Sequence, residues 1–102
     1  MENDKRLRLI GLAVRAGKVR MGTFITEKLI KENKAPLVII AGDGSEKQTK
    51  KIISMAENYN SEYIIMSTKE ELGRITGRDE LLCMVVSDEN FINGIKTQNG
   101  GA

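Results

Sequence analysis

Two pairs of cationic residues bracket a glycine: Lys18 and Arg20 precede Gly22, and Lys28 and Lys31 follow it. Residue types at this spacing suit the binding of an anion. A glycine at the start of a helix leaves room for a phosphate or a base edge to approach the backbone closely. The first turn of the helix offers unpaired N–H groups and the positive end of the helix dipole. Lys28 and Lys31 are spaced i, i+3, so both can face one ligand. Thr23 and Thr26 add hydroxyls that can hydrogen-bond the same partner. The competing reading of such a cluster is an ordinary solvated helix face. Residues 1–36 carry nine Lys/Arg against four Asp/Glu, whereas the other 66 carry seven against ten. A net charge of +2 split so unevenly favours an anionic partner over one region.

Enzyme constellations are sparse. With no histidine, Ser-His-Asp and Cys-His catalysis and most zinc sites drop out. The single cysteine, Cys83, sits in the apolar run Leu81-Leu82-Cys83-Met84-Val85-Val86 and reads as a small core residue. Gly42-Asp43-Gly44 follows a strand and faintly resembles a phosphate loop. It lacks the third glycine of the dinucleotide fingerprint and the spacing of a triphosphate loop. Asp43 suggests a phospho-acceptor or a magnesium ligand, but the strand at Lys18–Met21 supplies no second carboxylate. Turn chemistry explains the segment as well. No cofactor and no metal are expected, and no enzyme activity.

Length and composition set the frame for these residues. A chain of 102 residues suits one domain. Its 40% hydrophobic and 29% charged content is that of a globular protein. No run of about 18 apolar residues suggests a membrane span, and the charged start Met1-Glu2-Asn3-Asp4-Lys5-Arg6 leads into no signal-type block. A cytoplasmic monomer with no membrane partner is the expectation. Two Tyr, two Phe and no Trp make a single-strand stacking platform a poor fit. Recognition of a folded RNA by shape and phosphate fits better.

Apolar spacing and punctuation predict alternating elements. Helix one spans about Asp4–Ala16, capped by Asn3 or Asp4, with Leu7, Ile10 and Val14 on one face and Gly17 ending it. A short strand covers Lys18–Met21. Helix two follows Gly22 with Thr23 as its N-cap, turns Ile25, Leu29 and Ile30 inward, and ends near Asn33. Leu37–Ala41 is apolar throughout and reads as a central strand buried on both faces. Ser45-x-x-Gln48 is a capping box for helix three, with Ile52, Met55 and Ala56 inward. Strand three is Tyr63–Met66. Thr68-x-x-Glu71 caps a short fourth helix ending near Gly77. Strand four is Leu82–Val86, and Ser87 opens a last helix with Phe91, Ile92 and Ile95. The fold class is α/β: a single-domain three-layer α-β-α sandwich with a central four-stranded mixed sheet. Residues 1–97 form the domain and 98–102 a flexible tail.

In order and spacing these pieces resemble the kink-turn-binding ribosomal protein family, the L-seven-Ae/L-thirty-e group, and especially its small bacterial YlxQ-like members. The resemblance covers nearly the whole chain. It is carried by Ala16-Gly17-Lys18, Gly22, Lys28, Leu37–Ala41 with Asp43, and Ser67-x-Lys69-x-x-Leu72-Gly73-x-x-x-Gly77. It implies an RNA-binding protein of the ribosome or translation machinery, for which the RNA is a helix–internal loop–helix with a sharp backbone bend. In that family the glycine and the helix start meet sheared G·A pairs, and the lysine contacts backbone or base. A loop after the second glycine covers an extruded nucleotide. Many members carry Asn-Glu where this chain has Phe24-Ile25, neither of which hydrogen-bonds a guanine edge.

The expected RNA contacts are therefore Lys18, Arg20, Gly22, Thr23, Thr26, Lys28 and Lys31. Arg78 and Leu81, from an exposed loop at the same end of the molecule as Gly22, complete the set. Arg74 is a lesser candidate that can instead cap its own helix, and Leu72 reads as core. Two alternatives stand beside this reading. One is a protein-interaction scaffold of the same fold that has lost the RNA site, which gains if Phe24 forms an exposed apolar patch. The other is a small nucleotide- or phosphate-binding enzyme centred on Gly42-Asp43-Gly44.

Overall fold

The computed structural model describes residues 2–100, with side chains from Lys5 to Thr97. Helices and strands alternate as α1 (Glu2–Arg15), β1 (Val19–Met21), α2 (Thr23–Lys31), β2 (Leu37–Ile40), α3 (Glu46–Asn58), β3 (Glu62–Ile65), α4 (Lys69–Thr76), β4 (Cys83–Val86) and α5 (Glu89–Gly100). The four strands form one mixed sheet in the order β1-β4-β2-β3. β2 runs parallel to β3 and antiparallel to β4, and β1 runs antiparallel to β4.

The continuous apolar runs explain the layers. In β2, Leu37 and Ile39 point to one face and Val38 and Ile40 to the other, as the period-2 geometry of a strand requires. In β4, Met84 and Val86 join the first set and Cys83 and Val85 the second. All eight side chains are exposed by 1% or less. Each fully buried Val, Leu, Ile or Met contributes about 1.5–3 kcal/mol. One core is closed by Leu7, Ile10 and Ala13 of α1, Leu72 of α4, and Ile92 and Ile95 of α5. The other is closed by Ile30 of α2 with Ile52 and Ala56 of α3. The result is the three-layer sandwich, with the inner strand β2 central as its sequence requires.

Two caps fall where the sequence places them. Ser45 accepts from the Gln48 amide and Thr68 from the Glu71 amide. Other boundaries differ. α1 begins at Glu2, so Asn3 and Asp4 lie within it and do not cap it. α5 begins after Asp88, whose Oδ1 accepts from the amides of Asn90 and Phe91 at 2.8 and 3.3 Å. A carboxylate is the stronger cap there, and Ser87 is held in the sheet layer by bonds to the Lys18 carbonyl. α5 runs on to Gly100 through the segment read as a tail, and positions 101–102 lie outside the described residues.

Candidate nucleic-acid interface

The site is built where β1 passes into α2. The Gly22 amide donates to the Cys83 carbonyl at 3.0 Å, one step past the β1–β4 ladder. The backbone then takes φ 114°, ψ 158° at Gly22, a region essentially closed to residues with a β-carbon. Gly22, and not Thr23, is therefore the N-cap of α2. A glycine cap offers no side-chain acceptor, and no acidic residue occupies the first turn. The helix opens with its amides and the positive end of its dipole uncompensated.

A second segment reaches this point from α4. The start of that helix is tied down by Asp43, whose Oδ1 accepts from the Lys69 amide at 2.8 Å. Its end is a left-handed turn at Gly77, where the Arg78 amide donates back to the Gly73 carbonyl at 2.8 Å. The returning chain lies directly on Gly73: a β-carbon there would sit 2.8 Å from main-chain atoms of Arg78 and Asp79. The Leu81 amide then bonds the Lys69 carbonyl at 3.0 Å and draws the chain into β4. This fold-back carries the Arg78 guanidinium over Gly22, with Nη1 3.8 Å from the place a β-carbon would occupy. The loop and the glycine thus share one end of the molecule.

The other expected contacts are distributed unevenly. Lys28 is exposed one turn into α2 and forms only a loose 4.0 Å pair with Glu32, which holds it weakly. Arg20 is exposed on β1 opposite Val85 and makes no ion pair among the described residues. Thr23 is half-buried, and the Cys83 thiol points to its hydroxyl at 3.9 Å. Lys18 stands at the opposite end of β1, beside Ser87, about 13 Å from Gly22 by strand rise. Lys31 closes α2, about 13 Å along the helix axis from its start. Those two lysines flank the far end of the α2 face and do not join the Gly22–Arg78 cluster.

Two expected contacts are buried. Thr26 is fully buried: with Ile30 one turn on it forms the inward side of α2, and its hydroxyl has no hydrogen-bond partner among the described residues. Leu81 is 4% exposed and belongs to the core with Leu72, so the exposed part of its loop ends at Glu80. A Thr26→Val substitution tests the first of these placements. It keeps the volume and removes a buried hydroxyl, so stability is expected to hold or rise by up to about 1 kcal/mol, with no change in RNA affinity. A thermal melt and a titration check it, and weakened RNA binding in a folded variant contradicts the placement.

The remaining candidates have structural duties. Asp43 is engaged with α4, and Gly44 is packed against Leu82. Arg74 pairs with Glu71 at 3.4 Å on its own helix. Burial pushes the Cys83 pKa up, while the Thr26 and Thr23 hydroxyls pull it back and Glu27 adds to the rise. The net direction keeps the thiol protonated and unreactive.

Residues 4–93 match the ribosomal protein L7Ae/L30e/S12e/Gadd45 family. The chain belongs to this family. Among its relatives is an RNA-binding protein YlxQ of Bacillus subtilis, 33% identical over 85 residues that span 83% of this chain and 85% of the relative. A second, from Enterococcus faecium and also named RNA-binding protein YlxQ, is 31% identical over 91% of this chain and 89% of its own length. A solved protein of unknown function from Bacillus halodurans superposes with a TM-score of 0.85 at 26% identity, over 92% of this chain and 95% of that one. The Giardia lamblia 15.5 kD RNA-binding protein shares the fold, with a TM-score of 0.81 at 19% identity over 98% of this chain and 86% of its own. Phe24, which follows Gly22-Thr23, is 83% exposed. It is absent from the contacts expected from sequence, although its signal was present: its i+3 and i+4 neighbours are Glu27 and Lys28, which offer an aromatic ring no apolar cover.

Proposed function

We propose that this protein binds a folded RNA, kink-turn-like or similarly bent, through the open N-terminus of α2, Lys28 and the Arg78 loop. The observation that carries the reading is the guanidinium of Arg78 poised over the bare backbone of Gly22. Two cationic elements converge there on a helix start that no side chain caps, and an RNA phosphate or base edge satisfies both. Family membership and the two bacterial relatives named as RNA-binding support it. The protein acts by binding, as a cytoplasmic monomer on ribosomal or other structured RNA, and catalyses no reaction.

A filter-binding comparison of a kink-turn RNA with a straight duplex at two salt concentrations tests the proposal. Each phosphate held by a lysine steepens the fall of log K with log salt by roughly 0.7–0.9. Lys28→Ala is expected to weaken binding and flatten that slope by nearly one contact, and an exposed change of this kind alters stability by no more than about 0.5 kcal/mol. Unchanged affinity and slope in Lys28→Ala would remove the main support for the site. The exposure of Phe24 is the observation favouring a protein-binding scaffold instead. Failure to prefer the kink-turn RNA over the duplex, with no effect of Lys28→Ala, decides for that reading.

A further inference from the structure

We infer that Phe24 is the specificity-determining residue of this interface, its ring forming a platform for one unstacked base of the RNA. The inference rests on the RNA reading above and says how that RNA is read at this point: by the π-face of an unpaired base and not by the hydrogen-bonding edge of a base pair.

Three observations carry it. First, the ring is 83% exposed, although an aromatic side chain is among the largest apolar surfaces a fold can bury. Second, its position on the helix is wrong for the core. At 100° per residue Phe24 lies between Lys28 and Lys31 on the outer face of α2, opposite the buried Thr26 and Ile30. Its surroundings are those of a nucleic-acid surface: the uncapped helix start, Lys28, and Arg78 over the preceding glycine. Third, no other strongly exposed large apolar side chain among the described residues lies on α2: the others are Leu12, Tyr59 and Ile65. Leu12 is on α1, whose core lies across the sheet from that of α2. Tyr59 follows α3, and Ile65 ends β3 at the far edge from β1.

A single ring among cations divides the work of recognition by chemistry. The cations hold phosphates, which carry no sequence information. The ring takes a base face, which every nucleotide has and which a regular duplex keeps covered. Selection then falls on RNA whose bend has already expelled a base, because binding to it incurs no further unstacking. The ring contributes no charge, so its effect is separable from that of Lys28 by salt dependence.

The test uses the full chain and a hairpin RNA with an asymmetric internal loop, each unpaired position being made abasic or replaced by 2-aminopurine in turn. One abasic position is expected to weaken binding by the wild-type protein roughly 5- to 150-fold, the range of a lost base–aromatic stack. Phe24→Leu, which keeps an apolar side chain and loses the ring, is expected to lose the same factor on the intact RNA and nothing more on the abasic one. Its salt slope stays that of the wild type. Phe24→Trp retains the affinity, and 2-aminopurine at that position is quenched by the wild type and not by Phe24→Leu. If Phe24→Leu binds every RNA as the wild type does, the stacking inference is overturned, and Lys28→Ala shows separately whether the RNA site stands. If the wild type also binds the internal-loop RNA no better than a straight duplex, both readings fall and the exposed ring belongs to a protein partner.

Discussion

Gly73→Ala is expected to weaken RNA binding at the proposed interface while leaving the sandwich folded. Two effects oppose each other at this position. Within a helix, alanine is favoured over glycine by up to about 1 kcal/mol. Against that, the new methyl would lie 2.8 Å from the Arg78 carbonyl oxygen and from main-chain atoms of Asp79. Those atoms are backbone and cannot rotate aside as a side chain would, and overpacking of this kind costs about 1–3 kcal/mol. The repulsion wins locally, and the inexpensive relief is to lift the loop off the helix. Stability should fall by no more than about 2 kcal/mol, because α4 regains propensity as the loop leaves. The guanidinium of Arg78 departs from Gly22 with the loop, and RNA affinity should drop roughly 10- to 100-fold, the value of one hydrogen bond to a charged group. Amide exchange at Arg78, whose N–H bonds the Gly73 carbonyl, should accelerate. A folded Gly73→Ala protein with native affinity and a protected Arg78 amide would show that the fold-back does not position the arginine.

Ile39→Ala is expected to be the most damaging simple truncation. Ile39 is fully buried at the middle of β2, in the core that α1, α4 and α5 close. Removing a side chain of this size from such a site costs about 2–5 kcal/mol, the upper part of the range applying where the surroundings cannot collapse. Ile39 is flanked in the sheet by Met84 of β4 and Ile64 of β3, so rigid backbone on both sides prevents collapse. The loss is a large share of a domain stability of about 5–15 kcal/mol, and at roughly 4–8 °C per kcal/mol the melting temperature should fall by about 10–30 °C. Ile65→Ala, at an exposed end of β3, is the control, and its effect should stay within about 0.5 kcal/mol. Denaturant titrations of the two variants check the contrast, and equal losses would refute the central placement of β2.

How much of this was legible in the sequence depended on what each residue's role requires. β2 and β4 were readable because burial on both faces demands unbroken apolar runs, and Leu37–Ile40 and Cys83–Val86 supply them. The caps of α3 and α4 were readable because Ser45 and Thr68 act through side chains whose spacing to Gln48 and Glu71 is fixed. The cap of α2 was not, since Gly22 acts through a backbone angle that has no signature beyond the glycine itself. In the proposed interface, Gly22, Lys28 and Arg78 are the residues that type and spacing marked. Thr26 misled because a hydroxyl looks the same in the sequence whether α2 is turned toward solvent or toward Cys83, and Ile30 sets that turn by packing. Leu81 misled because its charged neighbours suggested a wholly exposed loop, whereas one backbone bond to Lys69 turns it inward. Lys18 was grouped with Gly22 by proximity in sequence, and an extended strand separates them.

The strand order has a consequence for how the chain acquires its function during synthesis. β4, which follows the other three strands in sequence, lies between β1 and β2, and among the described residues it is the strand with which β1 pairs. The carbonyl that anchors the Gly22 amide belongs to Cys83, and Arg78 likewise precedes β4 by only a few residues. Until residues 83–86 emerge, the first strand has no edge to join, and the cationic N-terminal third exists without the geometry that organises it. Contacts this distant in sequence form late and slowly. The proposed surface at Gly22 is therefore assembled only once β4 is in place, so a chain that stops short of residue 83 carries the basic charge without the shaped site.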